Sequence, residues 1–112
     1  MKISFFLSLV LASTISSTIA CVNSVGTINT SGDHFQLQTA YIIDNGQDTC
    51  DSARGYSTST STWVINCIGG YSMQVDTSGH NVWYGTPHGS FTWQQATSQN
   101  GQFITWNVNE FC

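Results

Sequence analysis

The sequence predicts an all-β protein, a small antiparallel β-sandwich or barrel of six to eight strands with two disulfides. Three observations predict this fold class. Apolar side chains alternate with polar ones along much of residues 21–112, which is the period of half-buried strands. Asn-Gly pairs and other glycine-containing turns separate these runs. Four cysteines are present, an even number that two bridges would use completely.

The first 20 residues have the three parts of a secretory signal peptide. Lys2 gives a positive start, residues 3–12 (ISFFLSLVLA) are apolar, and Thr18 and Ala20 fit the −3 and −1 positions of a cleavage site. The apolar run is shorter than the roughly 20 residues that span a bilayer. We therefore predict a signal peptide over residues 1–20, secretion to the extracellular space, and one domain over residues 21–112.

The four cysteines, Cys21, Cys50, Cys67 and Cys112, are predicted to form two disulfides, because a secreted chain folds where thiols are oxidised. Three pairings are possible, and the sequence does not choose between them. The strand pattern suggests that Cys21 and Cys112 clamp the ends of the first and last strands. Acylation of Cys21 would leave an odd number of thiols, and a zinc site would need closer ligand spacing.

Each predicted strand is a short run in which one parity is apolar and is expected to face the core. The apolar members, in chain order, are Phe35, Leu37, Tyr41 and Ile43; Trp63, Ile65 and Cys67; Tyr71, Met73 and Val75; Val82 and Tyr84; Phe91 and Trp93; and Ile104, Trp106 and Val108. Asn45-Gly46 and Asn100-Gly101 are predicted type I′ hairpin turns. Residues 57–62 (STSTST) fit either a loop or an exposed edge strand.

Charge restricts the possible partners. Without the signal peptide a single cation remains, Arg54, against six carboxylates, giving a side-chain charge of −5. Nucleic-acid binding draws much of its affinity from lysine and arginine on phosphates, so nucleic acid is excluded as a partner. Membrane insertion by a lytic peptide needs a basic amphipathic face, which is also absent. We expect a monomer.

The titratable residues do not form a recognisable catalytic pattern. The three histidines are interpreted as exposed loop residues, because nothing in their spacing brings them together. Glu110 is the single glutamate, whereas Asp44, Asp48 and Asp51 crowd one turn, where a solvated acidic loop is favoured over a Ca²⁺ site or a catalytic pair. We therefore predict a protein that is not an enzyme and needs neither metal nor cofactor.

One aromatic residue is predicted to face outward. Trp83 lies on the opposite parity from Val82 and Tyr84, beside a Gly-Thr-Pro-His-Gly loop. Tryptophan near asparagine, histidine and tyrosine is typical of surfaces that stack on sugars or contact proteins. Packing of Trp83 beneath a loop is the alternative. The candidate binding surface comprises His80, Asn81, Trp83, Tyr84 and His88.

Residues 29–31 (Asn-Thr-Ser) form an N-glycosylation sequon. In a secreted eukaryotic protein such a segment lies at the surface. Asn29 is therefore the predicted glycosylation site.

The layout of the chain resembles that of small secreted cysteine-containing proteins of filamentous fungi, many of which are candidate effectors of plant pathogens. The resemblance depends on the sequence MKISFFLSLVLASTISSTIA, on Cys21 and Cys112 at either end, and on the Ser/Thr/Gly/Asn-rich β body between them. Among fungal effectors the ToxB-like group is similar, with a small β-sandwich, four cysteines and cysteines near both ends, although many of its members are shorter. The resemblance implies binding of host proteins or masking of ligands, and no catalytic residues carry over.

The leading functional hypothesis is a secreted effector or elicitor that binds a host component, in the host apoplast or inside a host cell. The alternative is a lectin-like module that binds a cell-wall glycan with Trp83 and Tyr84 as a stacking platform. A small secreted hydrolase is the third hypothesis.

Overall fold

The computed structural model describes residues 21–112, so the predicted signal peptide lies outside the described residues. The all-β prediction is confirmed, but these residues form ten short strands rather than six to eight. One 3₁₀ turn, Ser52–Arg54, is also present. Within residues 21–112 no helix is long and apolar enough to cross a membrane. The strands are β1 Val22–Asn29, β2 Gln36–Asp44, β3 Gln47–Asp51, β4 Tyr56–Thr58, β5 Thr62–Ile65, β6 Ser72–Asp76, β7 Asn81–Thr86, β8 Gly89–Gln94, β9 Ser98–Asn100 and β10 Phe103–Glu110.

The strands form two antiparallel five-stranded sheets packed as a sandwich. The first sheet has the order β9-β10-β1-β2-β3, and the second has the order β4-β5-β6-β7-β8. The chain builds β1 to β3, crosses to the other layer for five consecutive strands, and returns with β9 and β10. Because β10 pairs with β1, the first and last strands lie side by side inside the first sheet.

The core lies between the inner faces of the two sheets. The predicted inward orientation of Trp63, Trp93 and Trp106 is confirmed, because all three are buried. Alternation along each strand supplies the remaining core members. The buried apolar residues are Val22, Ile28, Leu37, Ala40, Ile42, Cys50, Trp63, Ile65, Met73, Val75, Val82, Tyr84, Trp93 and Trp106.

Strand β1 is absent from the predicted apolar runs, and Trp106 explains why. The inward positions of β1 include Ser24 and Gly26, which are not large apolar residues. The indole of Trp106 lies directly over Gly26, where any Cβ would overlap the ring. Its Nε1–H donates to Ser24 Oγ at 3.0 Å. The small residues of β1 therefore make room for a tryptophan from the neighbouring strand.

A β-bulge changes the inward-facing residues of β2. Of the predicted apolar set, Leu37 is buried, but Ala40 and Ile42 replace the others in the core. Pairing with β1 shifts by one residue at Gln38, so the faces exchange from that point. Tyr41 and Ile43 are therefore only half-buried, whereas Phe35 precedes β2 and is exposed.

The two Asn-Gly pairs behave differently. Asn45 and Gly46 both have positive φ, 53° and 82°, as the predicted type I′ turn requires. The prediction for Asn100-Gly101 is wrong by one residue. Asn100 is still in β9, and the two-residue loop is Gly101-Gln102 with positive φ at its first position, the pattern of a type II′ turn.

Both predicted disulfides are present, and the pairing is now fixed. Cys21 bonds to Cys112 beside the end of the β1–β10 pair, with a Cα–Cα distance of 4.5 Å. Cys50 bonds to Cys67, which lies between β5 and β6, at 4.0 Å. The first bridge joins the ends of two neighbouring strands, and the second joins one sheet to the other.

Candidate functional site

Trp83 lies on the outer face of the second sheet, on β7 next to the edge strand β8, and its predicted outward orientation is confirmed. Its side chain is 42% exposed, whereas the other three tryptophans are buried. Gln74 of β6 and Thr92 of β8 lie directly opposite it on the adjacent strands. Both are exposed, so the indole stands among uncharged polar groups. These side chains, together with Asn81 and Gln94, form what we call the Trp83 face.

An open groove of about 430 Å³ runs along one side of Trp83. Asn81 and Gln94 face each other across β7 and β8 and bring two side-chain amides to this groove. Amides both donate and accept hydrogen bonds, as a ligand rich in hydroxyl groups requires. The groove is lined by Asn81, Val82, Trp83, Thr92, Trp93 and Gln94.

The carboxylate of Asp76, the last residue of β6, organises the β6–β7 turn at the end of the groove. It accepts from the amides of His80 and Asn81 at 2.9 and 3.2 Å, from Ser78 Oγ at 3.2 Å, and from Asn81 Nδ2 at 2.7 Å. Partial burial alone would raise the pKa of Asp76, but the hydrogen bonds from Asn81, Ser78 and His80 outweigh it and lower that pKa. The ionised carboxylate thus fixes Asn81 at the end of the groove.

The two predicted site histidines do not join Trp83. His80 lies in the β6–β7 turn, with Nδ1 3.1 Å from Ser78 Oγ and Nε2 3.0 Å from Thr97 Oγ1. His88 lies in the β7–β8 turn, at the other end of the strand. At about 3.3 Å per residue, the end of β7 is already about 10 Å from Trp83. The predicted five-residue surface is therefore spread over both ends of β7.

Tyr84 is wrongly placed in the predicted surface. It is 2% exposed, because the neighbour of an outward-facing strand residue must point inward. Its hydroxyl donates to Asp44 Oδ2 at 2.7 Å and lies 2.8 Å from Thr49 Oγ1, so it links the two sheets. Burial, with the adjacent Asp44 carboxylate, raises the pKa of Tyr84 well above its usual range. Tyr84 is a core residue and cannot stack on a ligand.

A strip of serine hydroxyls continues from Trp83 towards the β7–β8 turn. Gly85 is the next outward position of β7 and pairs with Ser72 of β6 and Ser90 of β8. The Ser72 hydroxyl lies over Gly85, in the space that a side chain at Gly85 would need. The sequence prediction missed this strip, and missed Gln74, Thr92 and Gln94 as well. Their proximity to Trp83 depends on the register of β6 and β8, which the composition of those strands does not reveal.

A second exposed aromatic group lies near the terminal disulfide. The Phe111 ring centroid is 5.3 Å from that of Phe91 and 5.6 Å from that of Trp93, and the two phenylalanines are 42% and 38% exposed. Phe111 has a φ of 62°, a conformation that bulky residues rarely adopt. The bond from Cys112 to Cys21 fixes the adjacent backbone. We call Phe91 and Phe111 the terminal aromatic pair.

The carboxylates near the 3₁₀ turn are engaged in local structure. Asp51 caps that turn by accepting from Ala53 N at 2.9 Å. Asp48 Oδ1 forms an ion pair with Arg54 Nη1 at 3.2 Å. Burial, together with the hydrogen bond between Asp48 and Asp51, nevertheless raises the pKa of Asp48. Among residues 21–112 no group of three or more His, Cys, Asp or Glu side chains is arranged to hold a metal ion.

Asn29, the predicted glycosylation site, is the last residue of β1 and is half-buried. Its Oδ1 accepts from Ser31 N at 2.9 Å, which makes residues 29–31 a local turn. Glycosylation at this position stays a prediction.

Comparisons of the chain with protein-family models, with curated proteins and with solved structures give no match.

Proposed function

We propose that this is a secreted, non-catalytic recognition protein that binds carbohydrate through the Trp83 face. The observation that carries the proposal is the exposed indole of Trp83, which is flanked on the adjacent strands by the uncharged polar side chains of Gln74 and Thr92. An aromatic ring can stack on the apolar face of a sugar, while nearby amides and hydroxyls bond to its hydroxyl groups. Gln74, Thr92 and Gln94 are the groups available for this on either side of the indole.

The carboxylates support a binding role rather than a hydrolytic one. A glycosidase needs two facing carboxyl groups across the scissile bond. In this structure Asp44 accepts from buried Tyr84, Asp51 caps a turn, and Asp76 is bound by its own turn. Each of these groups has a structural use that accounts for its position.

Binding to insoluble polysaccharides tests the proposal. Wild-type protein is expected to co-sediment with at least one of cellulose, chitin or β-glucan, and Trp83→Ala is expected to lose this because it removes the stacking ring. Trp83→Phe keeps a smaller ring and is expected to retain part of the binding. Phe35→Ala is the matched control, since Phe35 is an equally exposed aromatic residue adjoining the other sheet. Absence of wild-type binding to every glycan contradicts the proposal, as does unchanged binding by Trp83→Ala.

A second candidate function is that of an effector or elicitor acting on a host protein, and the terminal aromatic pair favours it. Exposed aromatic side chains are enriched in the centres of protein interfaces. Infiltration of plant leaves compares wild type, Phe91→Ser and Trp83→Ala. A host response that is lost in Phe91→Ser and kept in Trp83→Ala supports this candidate, and no response in any host contradicts it.

A further inference from the structure

The charges around the Trp83 face indicate which carbohydrates it can bind. Within residues 21–112 the single arginine or lysine is Arg54, which lies beside the first sheet and is paired with Asp48. At the end of the groove, Asn81 donates to the carboxylate of Asp76 at 2.7 Å, so the charge there is negative. An anionic sugar would therefore meet no opposite charge on this face and would approach a negatively charged protein.

The length of the Trp83 face indicates how many sugar rings it can contact. Asn81, Trp83 and Gly85 are successive outward positions of β7, so the line through them spans about 13 Å. Amides of Asn81 and Gln94 lie at one end. At the other end lie the hydroxyl of Ser72, which covers Gly85, and the hydroxyl of Ser90 on the adjacent strand. The aromatic ring thus stands between two polar stretches, and the surface continues on both sides of it.

We infer that the ligand of the Trp83 face is an uncharged, linear oligosaccharide lying along β7. One sugar ring stacks on Trp83, its neighbour on one side bonds to the Asn81 and Gln94 amides, and its neighbour on the other side bonds to the hydroxyls of Ser72 and Ser90. This inference rests on the proposed carbohydrate binding and adds the charge and the extent of the ligand.

Titration calorimetry with defined saccharides tests the inference. The probes are the hexasaccharides of cellulose and chitin, which are uncharged, the hexasaccharide of galacturonic acid, which is anionic, and the monosaccharides glucose and N-acetylglucosamine. A neutral hexasaccharide is expected to bind at least about tenfold more tightly than the anionic one, and the monosaccharides are expected to bind at least about tenfold more weakly. Ser90→Gln, which replaces one serine hydroxyl of the strip with a longer side chain, is expected to weaken hexasaccharide binding several-fold, whereas Phe35→Ala leaves it unchanged.

The possible failures are distinguishable. Trp83-dependent binding that is as tight for the galacturonic acid hexasaccharide overturns the neutral ligand and leaves carbohydrate binding standing. Equal affinity for the monosaccharide and the hexasaccharide, or no effect of Ser90→Gln, overturns the extended site. Binding of no saccharide of either charge overturns the proposed function together with the inference.

Discussion

At the residue scale, strand β7 places a surface residue and a core residue next to each other in the sequence. Trp83 and Tyr84 are adjacent, yet one is 42% exposed and the other is 2% exposed. Parity along a strand is enough to predict both orientations, and the predicted place of Tyr84 in the binding surface is wrong because it breaks that rule. What parity cannot give is the environment of Trp83, because Gln74 and Thr92 reach it from other strands.

Asp76 is the residue whose ionisation matters most for the groove. Because its pKa is lowered in the folded protein, Asp76 contributes stability above its unfolded pKa of 3.8, and this contribution is lost as pH falls through the folded value. Asp76→Ala is expected to lower the free energy of unfolding at pH 7 by about 1–3 kcal/mol. Urea unfolding at pH 7 and pH 3 checks this, and the difference from wild type is expected to shrink at pH 3. An equal difference at both pH values would contradict the argument.

At the scale of the element, the strands that sequence patterns identify are those with large apolar residues facing inward. Strand β6 is read correctly from Met73 and Val75, since both are buried. Strand β1 has no such pattern, because two of its inward positions are Ser24 and Gly26. These small residues leave room for the Trp106 indole of β10. In β2 the bulge at Gln38 reverses the pattern partway. Sequence predictions therefore fail where packing between strands, rather than local alternation, decides which residue faces the core.

The fit of β1 against β10 is open to a direct test. Gly26→Ala is expected to lower the free energy of unfolding by about 1–3 kcal/mol or more, because the added methyl overlaps the Trp106 ring. Gly69→Ala is the matched control, since the space around a Cβ at that position is empty and its φ is not positive. Urea denaturation followed by tryptophan fluorescence measures both. A Gly26→Ala variant as stable as the control would refute the close packing of Trp106 on β1.

At the scale of the whole molecule, the two disulfides connect different parts of the sandwich. The Cys50–Cys67 bond ties the two sheets together next to the buried Tyr84–Thr49 contact. The Cys21–Cys112 bond closes a loop with a sequence separation of 91 and fixes the backbone that presents Phe111 to Trp93. The sequence allowed three pairings, and its suggestion that Cys21 and Cys112 clamp the first and last strands is confirmed, because β1 lies beside β10.

Removal of the longer-range bond should weaken both the fold and the terminal aromatic pair. The double variant Cys21→Ser/Cys112→Ser is expected to lose about 2–5 kcal/mol of unfolding free energy. Tryptophan emission of the native variant is expected to shift to longer wavelength, because Phe111 no longer covers Trp93. Urea denaturation and emission spectra measure these effects. Wild-type values for both would show that the bond neither stabilises the sandwich nor positions Phe111.

The central claim, that the Trp83 face binds uncharged carbohydrate, is tested most directly by nuclear magnetic resonance. In ¹⁵N-labelled protein the four tryptophan indole N–H groups are expected to give separate signals, since three of these indoles are buried and Trp83 is exposed. On titration with a neutral hexasaccharide, we expect the Trp83 indole signal to shift along with the backbone amides of β6, β7 and β8 around it. The claim is contradicted if no signal moves with any neutral saccharide, or if the shifts centre on Phe91 and Phe111 and leave Trp83 unchanged.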